Sequence, residues 1–339
     1  MRVILLHNAA SEDGAPDERD VLVQAQALQE ALAQLGHESM AVPCTLNLAD
    51  VKQRLAELQP DLVFNLVEAL DGTGRLIHVV PAFLDVLRIP YTGSCAEVIH
   101  LTSHKVLAKQ RLVALGLPTP SWIGPYPEDV PVLPPGAGSP DDASDGSWII
   151  KSVWEHASIG LNEDEALLCD RADRASALMR ERAPCLGGSC FAERFIDGRE
   201  FNLSLLAGPE GPAVLRPAEI IFEGYSEQAL RIVGYRAKWA VDSYEFHHTP
   251  RRFDFSPADT PLLHRLRDLA QQSWHAFGLR GYARVDFRVD AGGQPWILEI
   301  NANPCLSPDA GFAAALQASD VSYPAAIARI LGDAHRRIS

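Results

Sequence analysis

The sequence predicts an α/β protein whose C-terminal half is α+β, and two patterns support this. In the first 94 residues apolar strands alternate with helical patterns, with strands at 3–7, 39–42 and 61–66 and helices at 21–35, 50–58 and 78–87. Such alternation indicates a parallel sheet covered by helices on both faces, with ligands beyond the carboxyl ends of its strands. The later half instead groups several strands around a long helix at 261–277.

Composition narrows the class of protein. The chain has 339 residues, 47% hydrophobic and 22% charged, which is enough for two or three domains. A net charge of −14 argues against nucleic acid or an anionic membrane as partner. Six cysteines without a CxxC pair indicate reduced thiols, although a Cys185–Cys190 disulfide remains open. No run is long enough for a signal peptide or membrane span, so we expect a cytoplasmic protein.

The chain between residues 95 and 339 is predicted to contain a pair of helices, several strands and two further helices. Residues 96–115 form the helix pair, and 125–146 form a loop rich in Pro, Gly, Asp and Ser. A strand at 148–151 and a helix within 164–182 follow. Asp197-Gly198-Arg199 is predicted to turn between the strands of a hairpin at 189–195 and 200–206. Short strands are expected at 218–222 and 230–233, and a closing helix at 324–331.

Two alternating runs around residues 290–294 predict a second hairpin, whose turn contains Gly292 and Gly293. If Asp290 pairs with Pro295, then Asp286 lies opposite Glu299. In the same register Arg284 lies opposite Asn301. The other face of the hairpin would carry the apolar side chains Val285, Phe287, Val289, Leu298 and Ile300.

The polar face of this hairpin predicts a metal site. Like charges opposite each other destabilise a sheet, so Asp286 and Glu299 need a compensating cation. Asp286, Glu299 and Asn301 all present oxygen, the ligand that magnesium prefers. The alternative is an exposed strand face on which Arg284 neutralises the two acids.

Lys151 ends an apolar strand just before the loop 152–160, SVWEHASIG. A lysine there can hold a phosphate while loop N–H groups approach other oxygens. The run lacks the spacing of a P-loop, so a lysine without a phosphate-binding role is the alternative.

The order of the motifs resembles the ATP-grasp superfamily, and specifically its D-alanine–D-alanine ligase branch. The similarity extends over almost the whole chain, through IPYTGS at 89–94, HK at 104–105, GLPTP at 116–120, IIK at 149–151 with SIG at 158–160, AERFIDGREF at 192–201, AKW at 237–239, GYARVDF at 281–287 and ILEINANP at 297–304. It implies an N-terminal α/β substrate domain (1–94), a central lid domain (95–188) and a C-terminal catalytic domain (189–339). ATP would lie between two antiparallel sheets.

The resemblance also implies roles for individual residues. Lys105 and Lys151 resemble the lysines of the α- and β-phosphates, and Lys238 that of the γ-phosphate. The lid loop over the triphosphate would include Glu155, His156, Ala157 and Ser158. The adenine would meet Glu193, Arg194 and Ile196, and the ribose would meet Glu200. Arg284 resembles the arginine that stabilises the transferring phosphate, and Glu18 the glutamate that binds the first substrate's ammonium. Asp286, Glu299 and Asn301 match the ligands of magnesium, for which manganese could substitute.

Four positions depart from the family pattern. Ala157 replaces a serine, Trp239 a tyrosine, Asn65 a histidine and Cys305 a glycine. Since unsatisfied polar groups reject the wrong ligand, we expect an ATP-dependent carboxylate–amine ligase with altered substrates, amino acids or peptide-like molecules. A genuine D-alanine–D-alanine ligase and a non-catalytic ATP-binding regulatory protein are the alternatives. Family members are commonly dimers, so a homodimer is possible.

Overall fold

The computed structural model describes residues 1–10, 16–127, 147–155, 168–169, 171–226 and 229–336, apart from the side chains at 17, 18, 168, 172 and 173. Most of the predicted loop at 125–146 therefore lies outside the described residues. The mixed architecture of helices and sheets confirms the predicted fold class. The division into three domains at residues 94 and 188 stays a prediction.

The N-terminal part is a parallel sheet of three strands. They are β1 (Arg2–Asn8), β2 (Glu38–Cys44) and β3 (Leu62–Leu66), in the order β2-β1-β3. Helices α1 (Pro16–Gln34) and α2 (Leu48–Leu58) connect them, and α3 (Val79–Leu87) follows β3. All five residues of β3 are buried, as expected for a strand covered on both faces. The predicted alternation of strands and helices is confirmed.

The middle of the chain begins with two helices, α4 (Ala96–Ser103) and α5 (Lys105–Ala114), which confirm the predicted pair. His104 separates them, and its Nδ1 accepts a hydrogen bond from the N–H of Leu107 at 3.1 Å, which caps α5. An antiparallel sheet in the order β4-β7-β5-β6 follows, with α6 (Ala172–Arg182). Its strands are β4 (Trp122–Tyr126), β5 (Trp148–Ser152), β6 (Leu168–Cys169) and β7 (Cys190–Arg194).

The last part is a second antiparallel sheet, in the order β11-β10-β8-β12-β13 with β9 paired to β8. Its strands are β8 (Arg199–Leu206), β9 (Ala213–Val214), β10 (Ala218–Ile220), β11 (Arg251–Arg252), β12 (Tyr282–Val289) and β13 (Pro295–Asn301). Its helices are α7 (Tyr235–Trp239), α8 (Tyr244–His247), α9 (Thr260–Phe277), α10 (Gly311–Ala318) and α11 (Tyr323–His335). One face packs into a core with α9 and α4, and the other carries polar side chains.

The predicted hairpin of residues 189–195 and 200–206 is wrong. β7 belongs to the four-stranded sheet and β8 to the other antiparallel sheet, so the turn between them joins two sheets. Gly198 permits this crossing: its φ is +147°, and a Cβ there would lie 2.0 Å from the carbonyl oxygen of Val289. The strand expected at 230–233 is not formed either.

The predicted register of β12 and β13 is confirmed at one end and wrong at the other. Asp286 lies opposite Glu299 and Arg284 opposite Asn301, as expected. Beyond them a β-bulge shifts the pairing by one residue, so that Val289 rather than Asp290 lies opposite Pro295. The bulge also exchanges two side chains: Ile297 is buried in the core, while Leu298 lines the polar cavity.

Two expectations from composition can be compared with the structure. All six cysteines are free, as predicted, and Cys185 does not pair with Cys190. In the part of the chain that the structure describes, every helix is too short or too polar to cross a bilayer.

Candidate functional site

A cavity of about 490 Å³ lies between the two antiparallel sheets and reaches the N-terminal part at Asp20 and Glu68. Twelve of the residues predicted to bind ligands or act in catalysis line it, namely Lys105, Lys151, Glu155, Glu193, Arg194, Ile196, Glu200, Lys238, Arg284, Asp286, Glu299 and Asn301. The side chain of Glu18 lies outside the described residues, as do His156, Ala157 and Ser158. Because the chain crosses from one antiparallel sheet to the other at Gly198, residues of both sheets line the cavity.

Three polar residues form a row across neighbouring strands. Asp286 of β12 lies between Asn202 of β8 and Glu299 of β13. Arg284 donates to both oxygens of Asp286, from Nε at 2.7 Å and from Nη2 at 2.8 Å, and Asn202 donates to Oδ1 at 2.9 Å. Burial alone would lower the pKa of Arg284, but Asp286 and Glu299 outweigh it and hold that pKa above its ordinary value.

This row fits a hard divalent cation. A carboxylate offers about four lone-pair positions, and Asp286 uses three, so one remains for a metal. Among the described residues no group of three or more His, Cys, Asp or Glu side chains could hold a metal. The donor set is therefore two carboxylates and the amide oxygen of Asn301, which also accepts the N–H of Asn303 at 3.0 Å. All three donors are oxygen, as magnesium prefers.

Two lysines bring positive charge to the same end of the cavity. Lys105 Nζ lies 3.8 Å from Glu299 and donates to the carbonyl of Glu155 at 2.7 Å. Burial lowers the pKa of Lys238 and the nearby Arg284 lowers it further, against the attraction of Glu299, Asp286 and Glu200. A cluster of cations around acids is the charge arrangement that phosphoryl transfer requires.

Lys151 is paired with Glu193 in a buried triad. Glu193 accepts from Lys151 at 2.5 Å and from Lys109 at 2.7 Å. Lys109 also donates to Thr119 Oγ1 and to the Pro120 carbonyl, both at 2.8 Å. Burial lowers the pKa of Lys109 to about 8 despite Glu193. Burial would raise the pKa of Glu193, but the two lysines hold it below its ordinary value.

The predicted nucleotide-binding segment follows Glu193. Arg194 and Ile196 line the cavity where the chain leaves β7, and Glu200 lies on the facing strand β8. Glu200 is paired with Arg288 at 2.8 Å. Arg288 is buried, and its guanidinium carbon lies 5.6 Å from the ring centres of both Phe195 and Phe222.

Glu155 connects the middle of the chain to the N-terminal part. Its carboxylate accepts from Thr73 Oγ1 at 3.0 Å and from the N–H of Gly74 at 3.3 Å, in the loop after β3. Its carbonyl accepts from Lys105 at 2.7 Å. Although Glu155 lines the cavity, its carboxylate is committed to a contact between two parts of the molecule.

The side of the cavity that faces the N-terminal part, close to Arg284, contains an acidic group around Cys305. The thiol donates to Asp20 at 2.9 Å, and Gln24 donates to Glu68 at 3.2 Å. Burial raises the pKa of Glu68 to about 7, against the hydrogen bond from Gln24, and Asp20 adds to the rise. This end lies where parallel strands of an α/β sheet present their carboxyl ends, as the sequence predicted.

Several cavity residues were not predicted. Asn202 could have been found, because it lies two residues after Glu200 and so shares its face of the strand. Lys109 is buried behind the cavity residue Glu193, with which it pairs, and could also have been found because it lies four residues after Lys105 on one helix. Arg251 gives no comparable signal: it follows a proline in a segment without clear periodicity.

Comparison with known proteins assigns the family. Residues 148–332 match the family model for the D-ala D-ala ligase C-terminus. The chain is 31% identical over 333 residues to a D-alanine–D-alanine ligase of a Synechococcus species, covering 96% of this chain and 92% of the relative. It is 30% identical over 318 residues to the uncharacterized protein y4sG of Sinorhizobium fredii, covering 92% and 88%.

Solved structures share the fold. The D-alanine–D-alanine ligase of Bacillus anthracis, complexed with ATP, matches with a TM-score of 0.73 at 18% identity, covering 99% of this chain and 98% of that one. The D-alanyl-alanine synthetase A of Vibrio cholerae matches at 0.72 and 17% identity, covering 98% of each. Because a family model covers more than half of the chain and a full-length relative exceeds 30% identity, this protein belongs to the ATP-grasp family of D-alanine–D-alanine ligases.

Proposed function

We propose that the protein joins a carboxylate to an amine with ATP and magnesium, and that at least one of its substrates is not D-alanine. The observation that carries the proposal is the opposition of Asp286 and Glu299 beside Arg284 and Lys238 in one cavity. The released products would be ADP and phosphate. The cytoplasmic location predicted from the sequence agrees with a reaction that consumes ATP.

In the first step an oxygen of the substrate carboxylate attacks the γ-phosphorus, and the bond from that phosphorus to ADP breaks. An acyl phosphate and ADP result. The chain's part is to hold two anions together, for which Lys105, Lys151 and Lys238 supply positive charge. A divalent cation bound by Asp286, Glu299 and Asn301 would neutralise charge on the phosphate oxygens.

In the second step the amine nitrogen attacks the acyl carbon. The carbon–oxygen bond to phosphate breaks, the nitrogen loses a proton, and an amide and inorganic phosphate result. Arg284 would stabilise the negative charge on the tetrahedral carbon's oxygen, because Asp286 fixes one edge of its guanidinium through two hydrogen bonds.

Contacts of three substituted residues support altered substrates. Asn65 is buried, and its side chain accepts from the N–H of Val67 at 3.2 Å, so it serves the local turn. Cys305 bonds to Asp20, and Trp239 places a large indole on the cavity wall. When the polar side chains of a substrate subsite are replaced or bound elsewhere, the subsite accepts a different ligand.

A genuine D-alanine–D-alanine ligase is the second candidate, because relatives of 27 to 31% identity carry that name. Phosphate release from ATP should be measured across D- and L-amino acids, hydroxy acids and small peptides. We expect phosphate release only when at least one amino acid or peptide other than D-alanine is present. Release only with D-alanine would support the second candidate. ATP binding without release by any substrate would contradict both and favour a regulatory protein.

Glu299→Gln tests the metal assignment. The variant should lose about a thousand-fold or more in kcat, because one metal-binding charge disappears while side-chain volume is kept. The control is Glu223→Gln, an exposed position outside the cavity. Unchanged turnover in the Glu299 variant would remove the metal assignment.

A further inference from the structure

Arg251 lies at the rim of the cavity, on the edge strand β11 of the second antiparallel sheet. It pairs with Ile220 of β10, and both residues line the cavity. Successive strand residues point to opposite faces, so the next residue, Arg252, points away. There it forms an ion pair with Glu219 at 2.5 Å.

Arg251 differs from the other arginines of this sheet in its partner. Four of them pair with carboxylates, namely Arg199, Arg252, Arg284 and Arg288. Arg251 instead donates from Nη1 to a main-chain carbonyl, that of Asp309, at 3.4 Å. Within the residues that the structure describes, no carboxylate forms an ion pair with it. Its charge is therefore available to an anion in the cavity.

The surroundings of Arg251 favour such an anion. Although Arg251 is exposed at the rim, partial desolvation and the nearby charge of Arg284 lower its pKa, against the attraction of Asp309 and Cys305, so an anion between the two guanidiniums would relieve repulsion. Gly311 leaves space for the guanidinium, since a Cβ there would lie 3.3 Å from Arg251 Nε. Helix α10 begins at Gly311 without a side-chain cap, so its first N–H groups can donate to the same anion.

The position along the cavity identifies the anion. Lys151 and Glu193 mark the nucleotide end, whereas Arg251 lies near Arg284, Asp309 and Cys305. Asp20, which also lines the cavity and accepts a hydrogen bond from the Cys305 thiol, provides a carboxylate at the same end. A cation on one side and a carboxylate on the other match the two charges of an α-amino acid.

On the basis of the function proposed above, we propose that Arg251 binds the carboxylate of the amino acid whose amine attacks the acyl phosphate. Arg251 thereby selects free amino acids over their amides and esters. An arginine suits this role because its planar fork can form two parallel hydrogen bonds with a carboxylate. Arg251 is a binding and specificity-determining residue, and takes no part in the transfer of phosphate.

With the carboxylate donor supplied at a fixed, saturating concentration, the test compares each amino acid with its carboxamide as the attacking amine, beginning with D-alanine and D-alaninamide and then the best amino acid of the substrate panel. Loss of a charge-assisted hydrogen bond predicts that Arg251→Gln raises the KM for the acid about 10- to 100-fold. The KM for the amide and for ATP should change by less than about twofold. Arg251→Lys should lie between the two, since it keeps the charge but loses the fork.

Arg216→Gln is the control, because Arg216 is exposed and its side chain donates to the carbonyl of Ala318, outside the cavity. An unchanged ratio of acid to amide in Arg251→Gln, with wild-type activity present, would overturn the role of Arg251 and leave the proposed function standing. A wild-type protein that releases no phosphate with any substrate would overturn both. An equal loss for acid, amide and ATP would indicate damage to the fold and also contradict the proposal.

Discussion

Glu193 shows how one residue can stabilise the molecule and prepare a binding site. Its carboxylate is almost fully buried and neutralises Lys109, which is equally buried, and Lys151, which faces the cavity. When an anionic phosphate reaches Lys151, Lys109 can remain with Glu193, so no buried charge is left unpaired. This arrangement agrees with the predicted phosphate-binding role of Lys151.

Glu193→Gln should therefore destabilise the protein strongly. Breaking a buried pair by removing one partner typically costs about 3–5 kcal/mol, because the other charge stays buried. Urea unfolding measures the loss. Glu38→Gln is the control: Glu38 pairs with Arg2 at 3.8 Å on the surface, so this change should cost less than about 1 kcal/mol. Equal costs for both variants would contradict the role of the triad.

Glu68 should give the protein a distinct pH dependence. Its raised pKa of about 7 means that the folded protein keeps its proton at pH values where the unfolded chain, with a pKa near 4.5, has lost it. Stability is thus lost as pH rises from about 4.5 to 7. Glu68→Gln should be more stable than the wild type at pH 8 by about 1–3 kcal/mol, and nearly equal to it below pH 4.5.

Urea unfolding at pH 4.5 and pH 8 checks this prediction. Glu30→Gln is a matched control, because Glu30 also accepts a hydrogen bond from a glutamine, Gln26, but is exposed on α1. Because this is a surface substitution, it should change stability by less than about 0.5 kcal/mol at either pH. A Glu68 variant that is equally stable relative to the wild type at both pH values would contradict the raised pKa.

Single residues differed in how well the sequence revealed them. Asp286, Glu299 and Asn301 could be placed on one face of the sheet, because side chains along a strand alternate between its two faces. Arg251 and Glu68 could not be assigned, since their roles depend on burial and on neighbours more than 30 positions away in the chain. Resemblance to a family gave no help at Lys109, Asn202 or Arg251, because the motifs did not include them.

At the level of the element, the β-bulge in β13 marks the limit of pattern reasoning. Alternation predicted Leu298 in the core, but one extra residue reverses the face of every position beyond it. The prediction was correct at the site end of the hairpin, because the four site residues lie on the side of the bulge where the pairing keeps the predicted register. The predicted hairpin across Gly198 failed for a related reason: a turn signal shows where the chain reverses, and tertiary pairing decides which sheet receives it.

The bulge predicts opposite effects for two neighbouring residues. Ile297→Ala should cost about 2–5 kcal/mol of unfolding free energy, because Ile297 is fully buried in the core. Leu298→Ala should cost less than about 1.5 kcal/mol, yet raise the KM for ATP because Leu298 lines the cavity. Urea unfolding and ATP kinetics measure the two effects. A larger stability loss in the Leu298 variant would contradict the observed register.

For the whole molecule, the sequence predicted the fold class, the N-terminal parallel sheet and the gathering of distant motifs in one cavity. Collinear motifs could do this because they lie at the ends of strands that the fold brings together. The order of strands in the two antiparallel sheets could not be predicted, since pairing between distant segments leaves little trace in a single sequence. The proposed three domains and a homodimer stay predictions.

The contact of Glu155 with Thr73 and Gly74 has a consequence for recombining related proteins. One residue fastens the loop after β3 with its carboxylate and holds the ammonium of Lys105 with its carbonyl. In a chimaera whose first 94 residues come from a related protein, the loop at residues 73 and 74 would be foreign while Glu155 would be unchanged. We therefore expect that positions 73, 74 and 155 must come from the same parent. A mismatch would displace Glu155 and, through its carbonyl, Lys105, although Lys105 lies outside the exchanged segment.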